Sequence, residues 1–134
     1  RARMIRQARK LAEAHPVVDH VITSPLVRAV QTAEIWVSAG GLDPDTPVSA
    51  HALVASGPSP GELIDLVEGV ASPNGLVGLV GHEPTLSALL HALVGPSCPI
   101  AAFSTGQAVL LGPPEPSGRR AVLAVLRGGV YTES

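Results

Sequence analysis

The stretch Val17-Val18-Asp19-His20-Val21-Ile22-Thr23-Ser24-Pro25-Leu26-Val27-Arg28-Ala29-Val30-Gln31-Thr32 changes its hydrophobic period at its midpoint. Up to Thr23 it is rich in β-branched residues, with Asp19 and His20 between them, which reads as a strand. Ser24-Pro25 is a helix start signal, serine serving as N-cap and proline, with its preset φ, as first helical residue. Leu26, Val30, Ala33 and Val37 then recur at helical spacing as an apolar stripe. Gly40-Gly41 ends the helix. A strand that passes into a helix across so short a junction is the repeating unit of an α/β fold.

Upstream, Met4, Ala8, Leu11 and Ala12 share one face of an earlier helix that runs to about Glu13. His15-Pro16 stops it, because the residue before a proline is driven out of helical geometry. No Ser, Thr, Asp or Asn precedes this helix as a cap, and it reads as part of a chain whose beginning is missing. Downstream, residues 42–60 form a loop region rich in Pro, Asp, Ser and Gly, with a short strand near Pro47 to Ala50. Glu62 to Val70 reads as a helix with Leu63, Leu66, Val67 and Val70 apolar. Leu76 to Val80 is a continuous apolar run, the pattern of a strand covered on both faces. His82-Glu83-Pro84 closes that strand and opens a helix carrying Leu86, Leu89, Leu90 and Leu93. Ala108 to Leu111 and Ala121 to Leu126, separated by a Gly/Pro-rich turn, read as a hairpin at the sheet edge. The alternation predicts a three-layer α/β/α sandwich with a mostly parallel central sheet, in one domain spanning residues 1–134.

Composition narrows the function. Hydrophobic residues are 46% of the chain and charged residues 15%, which supports a buried core and excludes the disordered profile. Nine cations against eleven anions leave no excess for a phosphate backbone, so no nucleic-acid partner is expected. A single cysteine, Cys98, rules out an internal disulfide framework. No apolar run reaches the length of a membrane span and no signal-peptide pattern opens the chain, so a cytoplasmic protein without a membrane partner is expected. His15, His20, His51 and His91 show neither H-x-x-x-H nor H-E-x-x-H spacing, so neither a metal site nor a cofactor is expected. Gly75, Gly78 and Gly81 do not spell a dinucleotide loop and read as packing positions. No G-x-S-x-G elbow is present.

In an open α/β sheet, ligands bind beyond the carboxyl ends of the strands. Two such ends carry unusual chemistry: Ser24 with Arg28 at one, His82 at the other. Each feeds a helix whose N-terminal N–H groups attract anions. A guanidinium fork, an imidazole and two helix starts together form a phosphate site. Taken singly, each has a plain structural reading: Ser24 as a cap, Arg28 as a solvated surface charge, His82 as a capping or core histidine.

The combination carries more. Ser24-Pro25-Leu26-x-Arg28-Ala29-x-Gln31-Thr32-Ala33, followed later by Val80-Gly81-His82-Glu83-Pro84, resembles the histidine phosphatase superfamily, the phosphoglycerate mutase-like enzymes, in its small SixA-type branch. Arg6-Gln7-Ala8-Arg9 and Phe103-Ser104-Thr105-Gly106 are similar to two further segments of that family, so the resemblance spans almost the whole chain. It implies transfer of a phosphoryl group to a histidine nucleophile and hydrolysis of the phosphohistidine formed. It implies Arg28 and His82 as catalytic residues that bind the phosphoryl oxygens, with Ser24 shaping the entrance to the phosphate pocket. It also implies a phosphorylated protein histidine or a small phosphomonoester as substrate. The family's nucleophile stands in an Arg-His-Gly motif that does not occur here. By the family pattern it belongs to roughly twenty-five residues ahead of Arg1, together with the central strand. A non-catalytic phosphate- or phosphoprotein-binding module of the same fold is the alternative. Asp43, Asp45, His51 and Glu62 offer no recognisable general acid, and Glu83 reads as a helix-start charge.

Overall fold

The computed structural model describes residues 9, 13, 18–38, 45–71, 75–82, 85–94, 107–116, 120–127 and 130–133. Arg9 and Glu13 are helical, in keeping with the first predicted helix, whose remaining residues lie outside that set. The same holds for Glu83, Cys98 and the Phe103–Gly106 segment. The described elements are β1 (His20–Thr23), α1 (Val27–Ser38), β2 (Val48–Ala50), α2 (Ala52–Ala55), α3 (Pro60–Val70), β3 (Val77–Gly81), α4 (Thr85–Val94), β4 (Gln107–Pro114), β5 (Arg120–Arg127) and β6 (Val130–Glu133).

The six strands form one sheet in the order β2-β1-β3-β4-β5-β6. β1 pairs in parallel with β2 and with β3, while β3–β4, β4–β5 and β5–β6 are antiparallel. The sheet is therefore mixed, which corrects the mostly parallel sheet that the sequence led us to expect. The reason is connectivity. A parallel pair needs a long crossover, which α1 and the α2–α3 segment supply among β1, β2 and β3. β4, β5 and β6 are linked by short turns that can only reverse direction. The β4–β5 hairpin is also not at the edge, because β6 pairs outside it. Gly128-Gly129 followed by Val130-Tyr131-Thr132 is the sequence signal for this added strand.

Period-two alternation distributes β1 and β3 between two cores. Ile22, Val77 and Leu79 face Leu63 and Val67 of α3 and Leu86, Leu89 and Leu90 of α4. Val21 and Val80 face Ala29, Ala33 and Trp36 of α1. Helices thus cover both faces of the sheet. Each large aliphatic side chain buried this way contributes about 1.5–3 kcal/mol. The buried face of α1 is not the expected one. Ala29, Thr32, Ala33, Ile35 and Trp36 are inside, Val30 and Val37 are half-buried, and Leu26 is exposed. Two alanines let the helix approach the sheet, and Trp36, fully buried, fixes which side turns inward. Its ring fills the space above Gly78, where an added Cβ would lie 2.6 Å from the indole, so the strand accepts only glycine there without a shift. Gly78 is the packing position its setting in an apolar strand implied.

α3 begins earlier than expected. Ser59 Oγ accepts from the Glu62 N–H at 3.2 Å, the Glu62 carboxylate accepts from the Ser59 N–H at 3.0 Å, and Pro60 takes the first helical turn. This is a capping box. No helix among the described residues is long and apolar enough to cross a membrane.

Candidate functional site

α1 leaves the carboxyl end of β1 and packs on one face of the sheet, while α4 leaves the carboxyl end of the adjacent β3 and packs on the other. Two neighbouring parallel strands whose outgoing connections diverge in this way open a crevice between their ends, the position where ligands bind in open α/β sheets. Ser24 and His82 stand at the two lips of that crevice.

The two meet directly. Ser24 Oγ lies 2.7 Å from His82 Nε2, a contact between residues 58 apart in sequence. The backbone sets it up: the Ser24 N–H donates to the Val80 carbonyl at 3.0 Å, extending the β1–β3 ladder by one residue. The Leu26 N–H donates to Ser24 Oγ at 3.2 Å and closes the turn around Pro25. Thr23 Oγ1 donates to the Ser24 carbonyl at 2.9 Å. Ser24 is fully buried and His82 half-buried. At the start of α4, the His82 carbonyl accepts from the Leu86 N–H at 3.0 Å. Ser24 therefore does not cap α1 as the Ser-Pro pair suggested. The helix starts at Val27, and the hydroxyl instead closes the turn and holds His82.

Arg28 is the second residue of α1, exposed, with no hydrogen bond or ion pair to its side chain among the described residues. The first turn of α1 carries no acidic residue. Positive helix-end potential and a guanidinium thus coincide, an arrangement that costs stability unless an anion is present. Exposed Leu26 and Val27 flank Arg28. A separate, mainly apolar recess between α3 and α4 is lined by Ile64, Val67, Leu89, Leu93 and Leu111, with the Glu68–Arg120 pair at its side.

A second polar group, which spacing rules did not reveal, stands on the edge strand. His20 Nε2 is 2.7 Å and His51 Nε2 is 2.8 Å from the hydroxyl oxygen of Ser49. Burial, and secondarily the neighbouring His51, hold His20 below its ordinary pKa. Its signal was alternation: Ser49 and His51 share one face of β2, and the β1–β2 register brings His20 to that face.

No protein-family model matches the sequence, and no curated protein matches it. Solved structures do. A structure from Agrobacterium tumefaciens assigned as the phosphohistidine phosphatase SixA superposes with a TM-score of 0.66 at 25% identity, over 93% of this chain and 80% of that one. The protein histidine phosphatase SixA complexed with tungstate superposes with a TM-score of 0.57 at 22% identity, over 92% of this chain and 80% of that one. Divergent helices, a crevice between β1 and β3 and a mixed sheet over nearly the whole chain lead to one conclusion: the chain has the fold of the SixA-type members of the histidine phosphatase superfamily.

Proposed function

We propose that the chain is a phosphatase domain that removes a phosphoryl group from phosphohistidine or a small phosphomonoester, with Arg28 and His82 holding the phosphoryl oxygens. The observation that carries this is the Ser24–His82 hydrogen bond, which joins the two motifs at the ligand-binding crevice of the sheet. The two neighbouring folds are named as a phosphohistidine phosphatase and a protein histidine phosphatase, and the second is a complex with tungstate, a tetrahedral oxyanion.

The chemistry follows from the side chains. Phosphoryl transfer asks little of a protein beyond positioning and charge stabilisation. The Arg28 guanidinium is permanently charged and presents paired donors to an oxyanion. Ser24 Oγ already accepts from Leu26, and His82 Nε2 is the one acceptor its own proton finds among the described residues. The hydroxyl proton goes there, which leaves the imidazole N–H on Nδ1. His82 then offers Nδ1–H as a donor to a phosphoryl oxygen, and Ser24 sets its orientation from beneath. The nucleophile called for by the resemblance is an Arg-His-Gly histidine preceding Arg1. Its nitrogen bonds to phosphorus as the substrate's P–N or P–O bond breaks, the leaving imidazole or alkoxide takes a proton from solvent water, and a second water then hydrolyses the phosphohistidine to inorganic phosphate and free histidine. Exposed Leu26 and Val27 beside Arg28 suit a phosphorylated protein side chain as partner.

The test is calorimetric titration with tungstate and inorganic phosphate, paired with hydrolysis of a phosphohistidine-bearing protein. Arg28→Ala and His82→Ala each weaken oxyanion binding at least about tenfold, as loss of a charge-stabilising donor does. Ser24→Ala weakens it less, because His82 keeps its imidazole and loses only the hydroxyl that orients it. Unchanged oxyanion affinity in both Arg28→Ala and His82→Ala would sink the assignment. The alternative is a non-catalytic phosphate- or phosphoprotein-binding module of the same fold, with the same pocket. Oxyanion binding without hydrolysis by the intact protein identifies it.

A further inference from the structure

The His20–Ser49–His51 group lies outside the crevice, and the proposed phosphatase chemistry makes no use of it. His20 opens β1, and His51 follows β2 and precedes α2. His51 is fixed by its backbone, whose N–H donates to the Thr23 carbonyl at 2.9 Å. Two strands and the start of a short helix thus bring two imidazoles in from opposite ends of β2, both aiming Nε2 at the hydroxyl between them. The two nitrogens are no further apart than those two short contacts laid end to end. A serine hydroxyl has one proton, so it donates to one imidazole and accepts from the other. It satisfies both rings only when one of them presents a free lone pair at Nε2.

We propose that His20 and His51 form a binding site for one borderline divalent cation, of the zinc, nickel or copper class, with the Ser49 oxygen beside it. Neutral imidazole nitrogens select such ions over calcium and magnesium, which take oxygen ligands. A metal ion about 2.0–2.1 Å from each nitrogen takes the place of the hydroxyl bridge as the two rings draw together. Among the described residues no third His, Cys, Asp or Glu completes a metal-binding group. The ion therefore keeps open positions for water, and the site is reversible rather than a fold-determining one. The zinc-motif spacings could not show this pair, because its members reach each other across a parallel strand pair.

The experiment is titration of the intact protein with Zn²⁺ alone, and then with Ni²⁺, by calorimetry at neutral pH. One ion binds per chain, and His20→Gln and His51→Gln each weaken binding at least about tenfold. Ser49→Ala changes it less than about threefold, since the oxygen is not an obligatory donor. His91→Gln leaves it unchanged. Nitrogen-detected NMR of the imidazoles supplies a readout without substitution: Zn²⁺ moves the Nε2 resonances of His20 and His51 and leaves those of His82 and His91. Affinity indifferent to both substitutions, or shifts confined to His82 or His91, overturns the proposal. So does the absence of binding to the unsubstituted protein.

Discussion

Two arginines stand at opposite ends of the same sheet. Arg28, at the carboxyl end of β1, is exposed and has no side-chain partner among the described residues. Arg120, at the start of β5, is buried, at 4% exposure. It donates to the Glu68 carboxylate at 2.7 Å and to the carbonyls of Gly75 and Gly112 at 2.7 and 3.2 Å. A buried guanidinium is tolerable only when its donors are satisfied, and Arg120 meets that condition from within the chain. It ties the entry to β3, the β4 backbone and α3 into one corner. Arg28 does the reverse. It sits where the helix end already repels it, and its donors face outward. Identical side chains thus stand in opposite settings: one buried and bonded at the amino end of β3, the other exposed beside its carboxyl end, where we propose that it meets an oxyanion. The lesson is that an arginine's partners, more than its residue type, tell which task it performs.

The widest separation comes from Arg28→Ala: oxyanion affinity or turnover falls on the order of 10²-fold while thermal stability holds. A melting temperature that falls with it would erase the contrast. Arg120→Ala gives the mirror result, a loss of about 3 kcal/mol in urea denaturation with the crevice chemistry retained in whatever fraction stays folded. Gly78→Ala probes the strand that connects the two ends. Its Cβ meets the Trp36 ring at 2.6 Å, so β3 or α1 must move, at a cost of about 1–3 kcal/mol. Because β3 leads directly into His82, this variant also weakens oxyanion binding, and an unaltered affinity would show the two ends to be uncoupled. Glu68→Gln sharpens the account of Arg120. Glu68 is 44% exposed and the two carbonyls remain, so less than about 1 kcal/mol is lost.

The smallest effect is in pH. His20 is held below its ordinary value of 6.5, first by burial and then by His51. Just under that pH the folded chain carries less proton on His20 than the unfolded chain, so stability falls as pH drops through this window and is fully present above it. His20→Gln flattens that part of the stability–pH curve. A curve with the same slope in the variant would assign the effect to another group.

Much of this was legible in the residues. The turn from β-branched residues to helical spacing at Ser24-Pro25, and the apolar run ending in Gly81-His82, placed the α/β units and both lips of the crevice. Local signals suffice there because strand and helix adjoin in sequence. The direct Ser24–His82 contact was not legible, since pairing of β1 with β3 is a property of strand order. The side of α1 that faces inward was missed for a related reason. An apolar count weights Leu26 and Val30 equally with Trp36, whereas packing favours the large ring above a glycine. The β4–β5 hairpin was legible in its turn, but β6 beside it was not expected, and the parallel pairing inferred from three α/β units was extended to a sheet whose later strands are joined by short turns. The Ser59–Glu62 capping box was in plain view and went unread.

Trp36 has a practical consequence. It is the sole tryptophan of the chain, fully buried, and its indole N–H has no hydrogen-bond partner among the described residues. Such an indole emits at short wavelength, and admitting water to the α1–β3 seam shifts its emission to the red. The chain thus carries an intrinsic optical gauge on the strand that leads into His82. It reports when that strand and its helix part, with no label attached.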